Sequence, residues 1–233
     1  SWRSVATGAT NTLNTLVGSP QSLLVAGTDE LRLREGTETW TDQLESALLF
    51  PAPAWTYLTS IWTGASYLVG GRSGMLVEGF RTNSLTSPVF WLPNDDAPRN
   101  WLWEVRHLPQ LYVAVGDAGT LMTSPDGMDW ETELVPEAVQ GEVLLGVAGT
   151  ANLAVAVGSA GSIVLSPVTT TQVVSTNANG VFATNEVRGI GIIWQAVEPR
   201  PTTADLQGVV VAGSQIVVTG AGGTILTSGD GVH

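Results

Sequence analysis

Five times along the chain an apolar run ends in glycine: "SLLVAG" at Gly27, "SYLVGG" at Gly71, "LYVAVG" at Gly116, "LAVAVG" at Gly158 and "IVVTG" at Gly220. The steps between these glycines are 44, 45, 42 and 62 residues. In four of the five a second glycine follows three positions on (Gly74, Gly119, Gly161, Gly223), and another short strand begins: "GMLVEG", "GTLMTS", "GSIVLS", "GTILTS". The first repeat has "ELRLREG", with Glu30 where the second glycine would stand. Two apolar runs joined by G-x-x-G read as a hairpin, because glycine supplies the positive φ of a tight turn. A further strand precedes each hairpin ("TLNTLV", "YLTSIW", "WLWEVRH", "VLLGVA", "DLQGVVV"), and a tryptophan follows four of them: Trp40, Trp91, Trp130 and Trp194. Four short strands every ~40–45 residues is the blade period of a β-propeller.

The ends of the chain fit the same phase. If "TILTSGDGVH" is set before "SWRSVATG", Trp2 becomes the fifth tryptophan and the step from Gly220 round to Gly27 becomes 40 residues. The expectation is an all-β, single-domain, five-bladed propeller over residues 1–233. Its last blade takes three strands from residues 206–227 and its outer strand from residues 1–6. Such closure removes the free sheet edges that invite association. A β-sandwich with loose internal similarity is the competing architecture, but it gives no reason for the two ends to match in phase.

Two stretches depart from the period. The long fourth step contains "SPVTTTQVVSTNANGVFATNEVRG", in which valine alternates with polar residues around the turn signal "NANG". It predicts a hairpin insertion over 168–188, between that blade's two outer strands. The connection "TDQLESALLFPAPAWTY" joins the first two blades, and "LESALLF" could form a helical turn ended by Pro51.

The turn "SPDGMDW" resembles the Asp-box of bacterial sialidases, and the repeat "LYVAVGDAGTLMTSPDGMDW" is similar to the propellers of the photosystem II stability and assembly factor family. The resemblance runs through all five repeats and is strongest in the third and fifth. The first keeps "REGTETW", with Glu35 in the aspartate's place, and the second and fourth lack the acidic turn. What the resemblance implies is blade architecture and a structural role for the box. A short carboxylate accepts backbone N–H bonds within its own turn, and the tryptophan packs between blades. Asp126, Asp230, Trp130 and Trp2 are therefore expected to be fold residues.

Composition narrows function mostly by exclusion. The net charge is −12, which disfavours nucleic acid as a partner. No apolar run approaches the ~18 residues of a membrane span. With no cysteine and one interior histidine, His107, there is no metal-ligand spacing and no expected metal or cofactor. The G-x-x-G turns join strands, whereas a phosphate cradle opens a helix. No G-x-S-x-G elbow occurs. Three tyrosines (two at core phase in strands) and nine arginines without repeat phase do not build a sialidase site. A glycoside hydrolase needs two carboxylates about 5–9.5 Å apart. Glu104 with Asp117 or Asp205 is the best available pair, against the alternative that Glu104 simply pairs with Arg106 or Arg72.

The remaining signal is a binding surface on the loops that lead into the inner strands. "WLPNDDAPRNWLW" and "FPAPAWTY" feed adjacent blades and gather aromatic and charged residues outside strands. Trp55, Asp95, Asp96, Arg99 and Trp101 are the candidate ligand-binding residues, since such mixtures recognise sugars and peptides. The alternative is that Trp55 and Trp101 plug the gap between blades. The expected function is a non-catalytic binding or scaffolding domain of a bacterial exported protein, extracellular or periplasmic and monomeric, with a protein or carbohydrate ligand. A carbohydrate-active enzyme is the alternative.

Overall fold

The computed structural model describes residues 3–36, 39–44, 56–81, 88–94, 99–176, 182–191 and 193–233. They form five antiparallel sheets in chain order. Blade I is β1 (Leu13–Gly18), β2 (Ser22–Gly27), β3 (Glu30–Glu35) and β4 (Thr41–Asp42). Blade II is β5 (Tyr57–Trp62), β6 (Tyr67–Gly71), β7 (Leu76–Phe80) and β8 (Phe90–Pro93). Blade III is β9 (Leu102–Leu108), β10 (Leu111–Gly116), β11 (Leu121–Ser124) and β12 (Glu131–Thr132). Blade IV is β13 (Leu144–Gly149), β14 (Leu153–Gly158), β15 (Ile163–Pro167) and, after an inserted hairpin, β18 (Gln195–Ala196). Blade V is β19 (Leu206–Ala212), β20 (Gln215–Gly220) and β21 (Ile225–Ser228). The inserted β16 (Thr169–Thr176) and β17 (Phe182–Gly189) pair with each other in a separate two-stranded sheet.

The glycine ending each apolar run has a mechanical role. Its own backbone is extended, yet a Cβ there would meet the carbonyl oxygen just before the inner strand. The distances would be 1.8 Å to Thr12, 2.1 Å to Thr56, 2.0 Å to Trp101, 1.9 Å to Val143 and 2.4 Å to Asp205. The next residue donates its N–H to that same carbonyl: Thr28 to Thr12, Arg72 to Thr56, Asp117 to Trp101, Ser159 to Val143 and Ala221 to Asp205, at 2.7–3.0 Å. The ladder slips by one residue at this end of every inner pair, which is the signature of a bulge. Beyond it, Ser73–Gly74, Ala118–Gly119, Ala160–Gly161 and Gly222–Gly223 hold two consecutive positive φ angles, as a type I′ hairpin turn requires.

Period-two alternation sends one side of each inner hairpin to the blade before and the other to the blade after. Leu24, Ala26, Leu31 and Leu33 of blade I pack on Tyr67, Val69, Val77 and Trp91 of blade II. Leu68 and Leu76 meet Tyr112, Ala114, Met122 and Trp130 of blade III. Val113, Val115 and Leu121 meet Ala154, Ala156, Val164 and Trp194 of blade IV. Val155, Val157, Ile163 and Leu165 meet Ile216 and Val218 of blade V. The tryptophan of blades II, III and IV thus lies in the seam shared with the preceding blade.

Four seams join five blades, and no fifth apolar cluster joins V to I among the described residues. Ile225 of blade V is 68% exposed, whereas its repeat equivalents Leu76, Leu121 and Ile163 are buried. Leu16 of blade I is 64% exposed, against 1% or less for the equivalent Val105 and Val147. The expected pairing of residues 1–6 with 222–227 is not present among the described residues. Arg3–Ala6 are exposed and outside any strand, β21 has no outer ladder partner among the described residues, and Trp2 lies outside them. Val5–Gly8 instead run beside Arg32, Arg34 and Trp40. Of the helical turn expected in "LESALLF", all but Leu44 lies outside the described residues. The insertion lies one residue later than expected at each end, over 169–189: Val168 packs against the seam between blades III and IV, and Gly189 pairs with Thr169.

Two outcomes follow for stability. Gly158→Ala forces a Cβ against Val143 backbone and should cost ~1–3 kcal/mol. At this chain length that lowers Tm by roughly 3–10 °C, while Gly141→Ala, with open space around its Cβ position, should stay within ~0.5 kcal/mol. Equal melting of the two variants would remove the steric argument. Replacing residues 169–189 by a short Gly-Ser link should leave the melting transition within about 2 °C, because β16 and β17 ladder only to each other; failure to fold would place the hairpin in the core.

Candidate functional site

The glycine–carbonyl contacts fix one end of the propeller. They gather there the loops leading into the inner strands and the I′ turns between second and third strands. Trp101 immediately precedes β9, and its carbonyl accepts the Asp117 N–H at 3.0 Å. Its ring lies under the Arg72 guanidinium, 4.2 Å from Cζ to ring centroid, and 5.7 Å from the ring of Trp103. Trp103 Nε1 donates to Asp117 Oδ1 at 2.6 Å. Asn100 Nδ2 donates to Thr120 Oγ1, whose hydroxyl donates to the Asp117 carbonyl at 2.6 Å. Arg99, two residues before Trp101, is exposed. Both indoles are half-buried, and neither belongs to an apolar seam. Trp101 thus carries the guanidinium of a blade II turn on its ring, at the start of blade III.

Of the five residues expected to bind ligand, Trp101 belongs to this cluster and Arg99 is exposed two positions before it. Trp55, Asp95 and Asp96 lie outside the described residues. Arg72, Trp103 and Asp117 belong to the cluster and were not assigned to it from sequence. The signal was present: Arg72 and Asp117 each follow the glycine that ends the apolar run, in consecutive repeats.

The carboxylates considered for catalysis are each held by separate partners. Glu104 receives Arg106 Nε at 2.6 Å and the Val147 N–H at 2.8 Å, which fastens blade III to blade IV. Asp117 holds Trp103, and Asp205 Oδ1 accepts the Ala160 N–H at 2.9 Å. Among the described residues no group of three or more histidine, cysteine, aspartate or glutamate side chains is placed to hold a metal ion. No helix among them is long and apolar enough to cross a membrane.

Two further carboxylates serve the same end of the molecule. Glu30, only 2% exposed, accepts the N–H groups of Thr10 and Asn11 and pairs with Arg32 at 2.8 Å. Burial works against its charge, but these donors outweigh it and lower its pKa. The one repeat lacking the second glycine therefore uses a buried glutamate to tie down the chain leading into β1. Glu142 accepts the Ser159 hydroxyl at 2.6 Å and pairs with Arg200 at 3.1 Å, and these bonds lower its pKa.

The acidic turns of blades III and V share one bonding pattern. Asp126 Oδ1 accepts the N–H groups of Met128 and Asp129, and Ser124 Oγ accepts that of Gly127. Asp230 Oδ1 accepts those of Val232 and His233, and Ser228 Oγ accepts that of Gly231. Trp130 Nε1 closes the blade III turn on the Gly127 carbonyl at 2.9 Å. The Met128 bond chiefly, then that of Asp129, holds the Asp126 pKa below its ordinary value near 3.8. A depressed folded pKa stabilises fully above the unfolded value and is lost as pH falls through the folded one. Asp126→Asn should therefore be less stable than the native chain at pH 6, with the gap closing below about pH 3.8. Urea midpoints against pH check this, and a gap that stays constant down to pH 2.5 would contradict it.

At the opposite end of blades I and II lies a second concavity, a cavity of about 590 Å³ lined by Gln21, Ser22, Trp62, Tyr67, Phe80 and the ion-paired Glu35 and Arg81. Trp62 and Tyr67 are 4.7 Å apart, centroid to centroid. Sequence reasoning assigned these side chains to strands and missed that their ends converge.

The sequence matches no protein-family model and no curated protein. Its fold resembles solved structures. The WD40 β-propeller domain of Doa1 superposes with a TM-score of 0.57 at 10% identity, over 94% of this chain and 66% of that one. YCF48 from Cyanidioschyzon merolae gives 0.60 at 13%, over 96% and 71%. YCF48 bound to D1 peptide gives 0.51 at 16%, over 99% and 81%. The chain thus spans about two thirds of the Doa1 domain and up to four fifths of the others. At these identities what is shared is the β-propeller fold.

Proposed function

We propose that this propeller is a non-catalytic binding and scaffolding module whose ligand, a segment of a partner protein, docks on the loop face at blades II and III. The observation that carries the reading is the Trp101–Trp103 pair. Two half-buried indoles stand outside every apolar seam, with Arg72 over one ring and Asp117 on the other's nitrogen. Rigid aromatic area rimmed by directional charge is what peptide-recognition sites offer. The fixed partners of Glu104, Asp117 and Asp205 support a structural rather than an enzymatic use of those carboxylates. YCF48, one of the proteins this fold resembles, is a peptide-bound propeller in one of its structures. Trp55, Asp95 and Asp96 belong to the same proposed surface, and a carbohydrate is the other ligand class that suits it. An extracellular or periplasmic setting in a bacterial exported protein, and a monomeric state, complete the proposal, together with closure of the five blades by the N-terminal strand.

Trp101→Ala should lose roughly thirtyfold in affinity for a captured peptide, ~2 kcal/mol, while its Tm stays within about 2 °C. Peptide-array selection followed by calorimetry and thermal melting measures both. A large fall in Tm with unchanged binding would make Trp101 a fold residue and end the assignment.

A further inference from the structure

At the end of the blades remote from the glycine–carbonyl contacts, three seams are closed in the same way. Gly127, Gly191 and Gly231, with φ of 86°, 85° and 84°, each sit against side chains of the seam there. Gly127 lies against Leu68 and Tyr112, Gly191 against Leu111 and Thr123, and Gly231 against Leu165 and Ile216. In the seam between blades I and II no glycine turn packs this way among the described residues. That end opens instead into the cavity of about 590 Å³, within the ~300–1,000 Å³ of small-ligand sites.

The wall of the cavity is aromatic on one side. Trp62 and Tyr67 face each other across the β5–β6 ladder, as His107 and Tyr112 do across β9 and β10. In blade III the Gly127 turn lies against Tyr112, whose hydroxyl donates to the Thr63 carbonyl at 3.3 Å. In blade II Tyr67 borders the cavity beside Trp62 and Phe80. Its hydroxyl shares a hydrogen bond with that of Ser22, which shares another with that of Ser19 at 2.8 Å. Trp62 is half-buried and Gln21 is exposed. Neither the indole nitrogen of Trp62 nor the side-chain amide of Gln21 has a hydrogen-bond partner among the described residues.

The rim is polar without being charged overall, because Arg81 and Glu35 are paired with each other. An anion would meet Glu35 and a chain of net charge −12, and a cation would meet Arg81. What the site offers is flat apolar area from Trp62 and Phe80 and directional donors and acceptors from hydroxyls, an amide and the ion pair. A neutral sugar presents the matching surfaces, C–H groups on the ring face and hydroxyls around its edge.

We propose that this cavity is a binding site for a neutral mono- or disaccharide, with Trp62 and Phe80 against the ring face and Gln21, Ser22 and the Glu35–Arg81 pair bonding the hydroxyls. It lies at the other end of the molecule from the Trp101 surface and does not depend on that reading.

Calorimetric titration of the full chain tests it. The neutral probes are cellobiose, maltose, lactose and chitobiose; sialyllactose and tetramethylammonium chloride are the charged ones. At least one neutral disaccharide should bind with a Kd below ~10 mM. Trp62→Ala should weaken that binding roughly tenfold or more. Since Trp62 also packs on the seam between blades I and II, Gln21→Ala is the second variant. It should weaken binding roughly threefold or more, as loss of one hydrogen bond does, with Tm unchanged within about 2 °C. Trp101→Ala should leave sugar binding as it was, and Gln21→Ala should leave peptide binding as it was, so each site stands or falls separately. Three results would overturn the proposal: no neutral probe binding more tightly than ~10 mM, a charged probe binding more tightly than every neutral one, or a sugar affinity indifferent to both variants.

Discussion

The interaction on which the blades depend is the contact between a glycine and a carbonyl at the top of each inner hairpin. At Gly27, Gly71, Gly116, Gly158 and Gly220 the second strand comes so close to the first that no side chain fits. The following N–H then binds the same carbonyl. The clasp sets the bulge, and the bulge sets the register of the alternating side chains below it. From that register come the two faces of each blade, one for each neighbour. A clasp that slipped by one residue would turn Val113, Val115 and their counterparts to the wrong seam. Sites at this end inherit the same precision: Arg72 and Asp117 are the residues whose N–H groups make the clasp, and their side chains meet at Trp101 and Trp103.

The repeat was legible in sequence because its parts are punctuated by residues with strict backbone demands. Apolar runs ending in glycine located the inner hairpins, and Trp40, Trp91, Trp130 and Trp194 located the outer strands of blades I to IV, to within a residue or two. The acidic turns at Asp126 and Asp230 were readable for a related reason: an aspartate two or three residues before the N–H groups it binds is a local pattern. Hydrogen bonds that close over such short spans leave a mark in the order of residues.

What stayed hidden depends on residues brought together from different repeats. Glu30 read as a missing glycine, yet it is a buried anchor for Thr10 and Asn11, twenty positions away. Trp101 and Arg72 stack although they come from different blades, and the cavity at Trp62 and Phe80 forms where two blades end side by side. The partners of the carboxylates considered from sequence were hidden for the same reason. Spacing along the chain says nothing about Val147 or Ala160, the backbone donors that occupy Glu104 and Asp205. The join of the two chain ends was a phase argument. Among the described residues β21 has no outer ladder partner.

The central claim is that one clasp, made five times, organises the blades. Amide hydrogen exchange at Thr28, Arg72, Asp117, Ser159 and Ala221 tests it directly, because these are the N–H groups that close on the inner-strand carbonyls. The account predicts protection at all five, with slowest exchange at Arg72, Asp117 and Ser159, whose blades pack on two neighbours among the described residues. Exchange of Arg72, Asp117 or Ser159 at the rate of an exposed turn would contradict it.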